Sequence, residues 1–385
     1  MKKVYFDHAA TTPMHQDVAD VMLKLMQGPG GNASSMHSYG RAAKAQLNQS
    51  RDTISAALHC RPGEIMFTSG GTESDNIAII GAARAQLKNG KNHIITSAAE
   101  HHAVLHACQW LADKEGFELS IIPVDETGAV SPEQIAASMT PHTALVSIIH
   151  GNNEVGTLSP IEEIGNIVKE GNALFHVDAV QSFGMVPIKL SNLPVDLMSF
   201  SAHKINGPQG VGALYIAQGT PIEPLSQGGS QERKRRAGTE NIAGIAGFAA
   251  AVEISVKERE KKQLFMDELR IKWLAMLKET VTAVPIIYNG SDKHYLPHIV
   301  NVSFIGIDTE TMLMNLDMEG IAAASGSACT SGALERSHVL RAMGISEDRM
   351  QSAVRFSFGL GNTIEELEHA AERIALIASR IRNSL

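Results

Sequence analysis

Short apolar runs alternate with longer segments of helical periodicity along the first 216 residues. The runs are rich in β-branched residues and predict seven strands, at 64–68, 93–96, 119–123, 144–149, 173–177, 197–200 and 211–216. Intervening segments such as 72–87, 103–114 and 161–170 predict helices, so the alternation predicts βαβ units around a mostly parallel sheet. The last two runs are only about ten residues apart, too close for a crossover helix, and we expect them to pair antiparallel.

The remaining third of the chain has a different pattern. Residues 239 to about 280 favour one linking helix, which becomes sharply polar after Val256. Thr363 and Glu366 stand at capping-box spacing, and the apolar residues that follow them mark one helical face. With 385 residues, we expect one large domain and a second, smaller one.

Composition excludes several classes of protein. Apolar residues make up 44% and charged residues 19% of the chain, which indicates a globular protein. A formal charge of −8 gives no reason to expect nucleic-acid or membrane binding, and residues 2–8 carry no signal-peptide pattern. The apolar stretch 242–256 is too short to cross a bilayer. Three widely spaced cysteines form no metal motif, so we expect no metal site and a reducing, cytoplasmic location.

Three sites at the ends of successive predicted strands could carry chemistry. The turn 69–74 precedes a helix and could hold a phosphate, although its glycines could serve the turn alone. Asp178 follows one strand and could equally be a helix cap, while Lys204 follows another and could be an ordinary surface lysine. Together they suit pyridoxal phosphate, which requires a lysine, an acid at its ring nitrogen and donors for its phosphate.

The three cysteines differ in their surroundings. Cys329 lies among small residues, in the run 322–332, which favours an accessible and reactive thiol. Cys60 and Cys108 each lie in a segment of helical character, where a cysteine is usually a buried apolar residue.

Ordered motifs along essentially the whole chain resemble the cysteine desulfurases of the NifS/IscS type, within the class V aminotransferase group. The segments that carry the resemblance are 5–12, 30–35, 68–76, 100–101, 152–156, 176–181, 199–210, 236–241, 325–331 and 355–357. The resemblance implies an α/β fold, the fold-type I pyridoxal-phosphate architecture, with a mostly parallel seven-stranded sheet and a smaller α+β domain. It implies a large cofactor-binding domain at 14–255 and a small domain, 1–13 with 256–385, that carries the catalytic cysteine.

The resemblance also assigns roles to single residues. Lys204 would bind the cofactor covalently, Asp178 would pair with the pyridine nitrogen, and Gln181 would bond the phenolic oxygen. His101 would stack on the ring, although it could simply begin a helix, and Asn153, rather than Asn152, would be the active-site asparagine. The phosphate would be held by Gly71, Thr72, Ser201, His203 and, from the other subunit of a homodimer, Thr239, which could also be a helix cap.

The substrate and the acceptor follow from the same resemblance. Arg355, helped by Asn32, would bind the carboxylate of L-cysteine, although Arg355 could be only an ion-pair partner. Cys329, with Lys204 and His101 as the other catalytic residues, would accept the sulfur as a persulfide and deliver it to an iron–sulfur scaffold, a tRNA-thiolation enzyme or a cofactor pathway. The alternatives are a transaminase, a selenocysteine- or cystine-cleaving lyase, and a non-catalytic scaffold.

Overall fold

The computed structural model describes residues 2–326 and 336–383. Its strands are β1 Val4–Tyr5, β2 Ile65–Thr68, β3 His93–Ser97, β4 Glu118–Ile122, β5 Thr143–Ile149, β6 Leu174–Asp178, β7 Leu197–Ser201, β8 Gly212–Ile216, β9 Ile286–Asn289, β10 Ile299–Phe304, β11 Ile321–Ala322 and β12 Ala353–Ser357. Strands β2 to β8 form one sheet in the order β2-β8-β7-β6-β5-β3-β4. The seven predicted strands are confirmed, and each observed end lies within one residue of the prediction.

Strand direction in this sheet follows the lengths of the connections. Strands β3, β4, β5, β6 and β7 pair in parallel, whereas β8 runs antiparallel to both β7 and β2. The predicted antiparallel pairing of the last two strands is therefore confirmed. Because the carboxyl ends of parallel strands share one edge, the segments after β3, β5, β6 and β7 meet there.

Helices cover both faces of this sheet and the smaller sheets beside it. They are α1 Gln16–Met26, α2 Ser38–Ala57, α3 Gly71–Asn76, α4 Ala82–Leu87, α5 His102–Glu115, α6 Pro132–Ser138, α7 Ile161–Glu170, α8 Ile242–Thr280, α9 Thr309–Met318, α10 His338–Ala342, α11 Glu347–Gln351 and α12 Ile364–Arg382. A π-helical turn, Ile77–Gly81, joins α3 to α4, so the predicted helix at 72–87 is continuous but not uniformly α-helical. None of the described helices is both long and apolar enough to span a membrane.

The residues from Met266 onward, together with the amino-terminal segment, build a separate core. Strands β9, β10 and β12 form an antiparallel sheet, and β1 from the amino terminus pairs in parallel with β11. Trp273 of α8 contacts Phe6 and Phe356 edge to face inside this core. The amino-terminal part of α8 packs instead on the large sheet, through Phe248 and Val252. The domain boundary at residue 255 thus falls inside one helix; it stays a prediction, supported by this distribution of buried side chains.

Two local expectations need correction, and one is confirmed. Cys60 does not lie in a helix, because α2 ends at Ala57 and His59 adopts a left-handed backbone conformation. The residue that caps α8 is Asn241, whose side chain accepts the Gly244 N–H, so Thr239 is not that cap. The capping box of α12 is confirmed, with both of its hydrogen bonds present.

Candidate active site

A cavity of about 570 Å³ lies at the edge where the parallel strands end, between the large sheet and the small one. This volume is in the range of small-molecule sites. The candidate residues that line it are Gly71, Thr72, His101, Asn153, Asp178, Gln181, Ser201, His203, Lys204 and Arg355. Residues that sequence reasoning left without a role also line it, including Asp7, Asp75, Glu154 and His338.

Among the described residues, two candidates, Asn32 and Thr239, do not line this cavity. Asn32 is exposed and its side chain accepts the backbone N–H of Ser34, and Thr239 is exposed. Cys329 lies outside the described residues. Asn152 is buried away from the cavity, where its amide donates to Ala99 O and accepts from Glu154 N and Val155 N. Of the two adjacent asparagines, Asn153 is therefore the one that faces the cavity.

Lys204 and Asp178 bring opposite charges into the cavity. Burial lowers the pKa of the Lys204 amine to about 8, with a smaller contribution from Arg355, and raises that of the Asp178 carboxyl to about 6. The amine donates to the carbonyl oxygens of Ala9 and Ala10, at 2.5 and 2.7 Å. Asp178 accepts the Val180 N–H at 2.9 Å, which fixes the carboxylate at the end of β6. The arrangement provides a readily deprotonated amine near a buried acid.

The turn before α3 leaves a space that a larger residue would fill. A Cβ atom at Gly71 would lie 2.7 Å from the Val180 side chain, so only glycine fits there. Thr72, Ser201 and His203 lie around the same end of the cavity. Hydroxyl groups and backbone N–H groups at the start of a helical run suit a phosphate, so these residues fit a phosphorylated cofactor.

His101 both begins a helix and lines the cavity, the two possibilities that the sequence left open. Its Nδ1 accepts the Ala103 N–H at 3.1 Å, which makes it the cap of α5, and its ring also lines the cavity. Burial, reinforced by Lys204, lowers its pKa to about 4. The imidazole is therefore neutral near pH 7, a form that can lie against an aromatic ring without a desolvated charge.

Arg355 extends from the middle of β12 and is 4% exposed. Its guanidinium donates to Asn153 O at 2.8 Å and to the Asp7 carboxylate at 2.9 Å. Asp7 is a site residue without an assigned role in the sequence, although it lies within the motif 5–12 that carries the family resemblance. A fixed, buried guanidinium at the cavity wall is suited to bind a substrate carboxylate.

A buried carboxyl, Glu100, lies behind the cavity at 0% exposure. Its Oε1 accepts from the Ser97 hydroxyl at 2.5 Å and from Ile149 N–H at 3.0 Å, while Oε2 has no partner among the described residues. Burial raises its pKa to about 8. The native protein therefore holds a proton on Glu100 at pH values where an exposed glutamate, with a pKa of about 4.3, has lost it.

We expect Glu100→Gln to change the pH dependence of stability. The Glu100 proton stabilises the native state fully below about pH 4, and this contribution disappears as the pH rises towards 8. The melting temperature of the variant relative to the wild type should thus rise by on the order of a few degrees across that interval. Thermal unfolding at several pH values measures this, with the exposed Glu163→Gln as control. A difference that is constant with pH would contradict the assignment.

The two described cysteines are poor candidates for a reactive thiol. Burial raises the pKa of Cys60 to about 12, and it raises that of the fully buried Cys108 still further. Neither thiol forms thiolate readily at neutral pH. Of the three cysteines in the chain, Cys329 therefore stays the predicted site of thiol chemistry.

Comparisons with known proteins agree with this geometry. The aminotransferase class-V family model matches residues 4–369. A putative cysteine desulfurase, IscS 1, of Bacillus subtilis is 46% identical over 99% of this chain and 100% of its own length. The cysteine desulfurase IscS of Dictyoglomus turgidum is 43% identical over 99% of this chain and 96% of its own.

Solved structures show the same architecture. A NifS-like protein superposes with a TM-score of 0.92 at 38% identity, covering 98% of this chain and 100% of that one. A second structure, SspA in complex with cysteine, has a TM-score of 0.81 at 32% identity and covers 93% of this chain and 99% of that one. The seven-stranded sheet described above is thus the fold-type I architecture.

Proposed function

The chain belongs to the cysteine desulfurases of the aminotransferase class-V family, and from that premise we propose that it converts L-cysteine to L-alanine with pyridoxal phosphate. The sulfur passes to Cys329 as a persulfide and then to an acceptor protein. The observation that carries the proposal is the meeting of the Lys204 amine, the Asp178 carboxylate and the Arg355 guanidinium in one cavity. The Gly71 turn, with Thr72, Ser201 and His203, supplies a fitting phosphate cradle.

Each of these residues has a definable task. Lys204 attaches the cofactor and later moves the proton at Cα of cysteine, for which an amine with a pKa lowered to about 8 is well suited. Asp178 would pair with the ring nitrogen of the cofactor and keep it protonated, Gln181 would bond the phenolic oxygen, and His101 would stack on the ring, with Asn153 as the active-site asparagine. When bound, the cofactor supplies the electron sink that withdraws charge from Cα. Arg355 orients the substrate carboxylate; the help expected from Asn32 has no support in the described cavity, which Asn32 does not line.

The sulfur transfer balances without an outside oxidant. The Cβ–S bond of cysteine breaks, an S–S bond forms to the sulfur of Cys329, and the remaining carbon skeleton takes up a proton and leaves as alanine. Cysteine plus the Cys329 thiol therefore equals alanine plus a persulfide. The attacking group is the thiolate, because the thiol is a poor nucleophile.

We propose a homodimer as the working unit. Thr239 is exposed and does not line the cavity of its own chain, which supports its contribution to the phosphate site of a second subunit. The acceptor is an iron–sulfur scaffold protein or a tRNA-thiolation enzyme.

Product analysis tests the proposed function. The protein loaded with pyridoxal phosphate should release one alanine for each sulfur transferred from L-cysteine to an added thiol. Cysteamine carries the thiol but no carboxylate that Arg355 could bind. Its turnover should therefore be about 10- to 100-fold lower than that of L-cysteine, because the charge-assisted hydrogen bonds to the carboxylate are lost. Formation of pyruvate, or of alanine only with a keto-acid partner, would instead indicate a lyase or a transaminase.

A further inference from the structure

Two described residues on either side of the segment 327–335, Gly326 and Ser337, meet at one carboxyl group, that of Glu154. The hydroxyl of Ser337 donates to Oε2 of Glu154 at 2.5 Å. On the other side, a Cβ atom at Gly326 would lie only 2.8 Å from the same oxygen, so the Gly326 backbone lies directly against the carboxylate. In the sequence, Cys329 lies between these two residues.

The stretch of chain that precedes Gly326 is also hydrogen-bonded to β12, the strand that carries Arg355. Ala324 and Arg355 exchange backbone hydrogen bonds, with N···O distances of 2.6 and 3.1 Å. Gly326 itself has φ of +96°, a conformation that other residues adopt only with strain. The position of Gly326, the last described residue before the segment 327–335, is therefore fixed by contacts with Glu154 and with the strand that carries Arg355.

The chain that follows the segment 327–335 is also held in place, through Ser337 and His338. The Ser337 hydroxyl oxygen accepts the Leu340 N–H at 3.0 Å and so caps α10. The next residue, His338, donates from Nε2 to Glu100 O at 2.8 Å, and its ring lies 4.5 Å from that of His102. Ser337 and His338 thus contact both Glu154 and the segment that carries His101.

Glu154 is held rigidly and is 2% exposed. Its N–H donates to Asn152 Oδ1 at 2.8 Å, and its carbonyl oxygen accepts from Asn301 at 3.2 Å. Burial raises the pKa of the Glu154 carboxyl, while the Ser337 hydroxyl and Arg355, which also donates to the carbonyl oxygen of the preceding residue, oppose this shift. Burial of a carboxylate is costly unless the group is hydrogen-bonded or paired. The hydrogen bond from Ser337 offsets part of this cost for Glu154.

We propose that Glu154 is a positioning residue for sulfur transfer, because its carboxyl group holds Gly326 and Ser337, which lie on either side of the segment that contains Cys329, relative to Arg355. The inference rests on the proposed function. It predicts that Glu154 affects the step at Cys329 and leaves the earlier binding of cysteine unchanged. A misplacement of about 1 Å at a reacting group can cost on the order of 10²-fold in rate.

Single-turnover kinetics of the pyridoxal-phosphate enzyme test this with Glu154→Gln, Ser337→Ala and the double variant. The absorbance change on mixing with L-cysteine should keep its wild-type concentration dependence, while persulfide formation slows by on the order of 10²-fold. The double variant should lose no more than the larger single loss, because both changes disrupt one contact. Ser337→Thr, which keeps the hydroxyl, should restore the rate.

Two further measurements separate positioning from general damage. Ser131→Ala removes a comparable cap from α6 and should leave persulfide formation unchanged. Hydrogen exchange of peptides covering 320–326 and 336–342 should be faster in Glu154→Gln. Wild-type persulfide rates in both single variants would overturn the inference, and so would a parallel loss of cysteine binding. If the wild-type enzyme itself forms no persulfide, it is the proposed function that fails.

Discussion

Replacement of Lys204 by arginine should remove alanine production from L-cysteine while the protein still folds. Arginine keeps a positive charge and can donate to the Ala9 and Ala10 carbonyl oxygens that the lysine amine contacts. It cannot bind the cofactor covalently, and because its pKa stays above about 12 it cannot move a proton at Cα. Loss of a positioned acid–base group alone costs about 10²- to 10⁴-fold, so the fall in kcat should be at least of this order.

Two measurements check this prediction. Alanine release gives the rate, and borohydride reduction followed by peptide mass analysis locates the cofactor. We expect the pyridoxyl mass on the peptide that contains Lys204 in the wild type and its absence in Lys204→Arg. The exposed Lys189→Ala is the control and should match the wild type in both measurements. Retention of the cofactor on another lysine, with normal turnover, would remove Lys204 from the mechanism.

Replacement of Cys329 by serine should abolish persulfide formation without loss of the cofactor. The hydroxyl of serine cannot hold the transferred sulfur, and loss of a catalytic nucleophile typically costs more than about 10³-fold. Cysteine should still produce its absorbance change, because Lys204, Asp178 and Arg355 are intact. Cys60→Ser is the control, since burial keeps the pKa of that thiol at about 12 and we expect its removal to leave turnover unchanged. Full alanine production by Cys329→Ser would favour a transaminase or lyase instead.

The large sheet could be predicted from the sequence because its strands are short, apolar and β-branched. The antiparallel β8 followed from the short connection after β7. The end of α2 could not be placed, because the left-handed residue after it is His59, with no glycine to mark the position. The cap of α8 was ambiguous because Thr239 and Asn241, two residues apart, are both capping types.

The site was predictable where a residue follows a strand or belongs to a motif. Asp178 and Lys204 stand at strand ends, so a parallel sheet brings them to one edge. The contacts between distant parts of the chain were not predictable, because periodicity carries no information about them. Asp7 and Arg355 are 348 positions apart, and Glu154 and Ser337 are 183 apart. These long-range pairs connect the amino-terminal segment, the large sheet and the small domain around the cavity.

The most direct test of the account is the location of the transferred sulfur. The enzyme, loaded with pyridoxal phosphate, is incubated with L-cysteine in the absence of an acceptor, and its thiols are then alkylated. The masses of the peptides that contain Cys60, Cys108 and Cys329 are measured by mass spectrometry. The account predicts one added sulfur atom on Cys329 alone, in step with alanine release, and none in Lys204→Arg. Alanine release with no sulfur on Cys329, or with sulfur on Cys60 or Cys108, would contradict it.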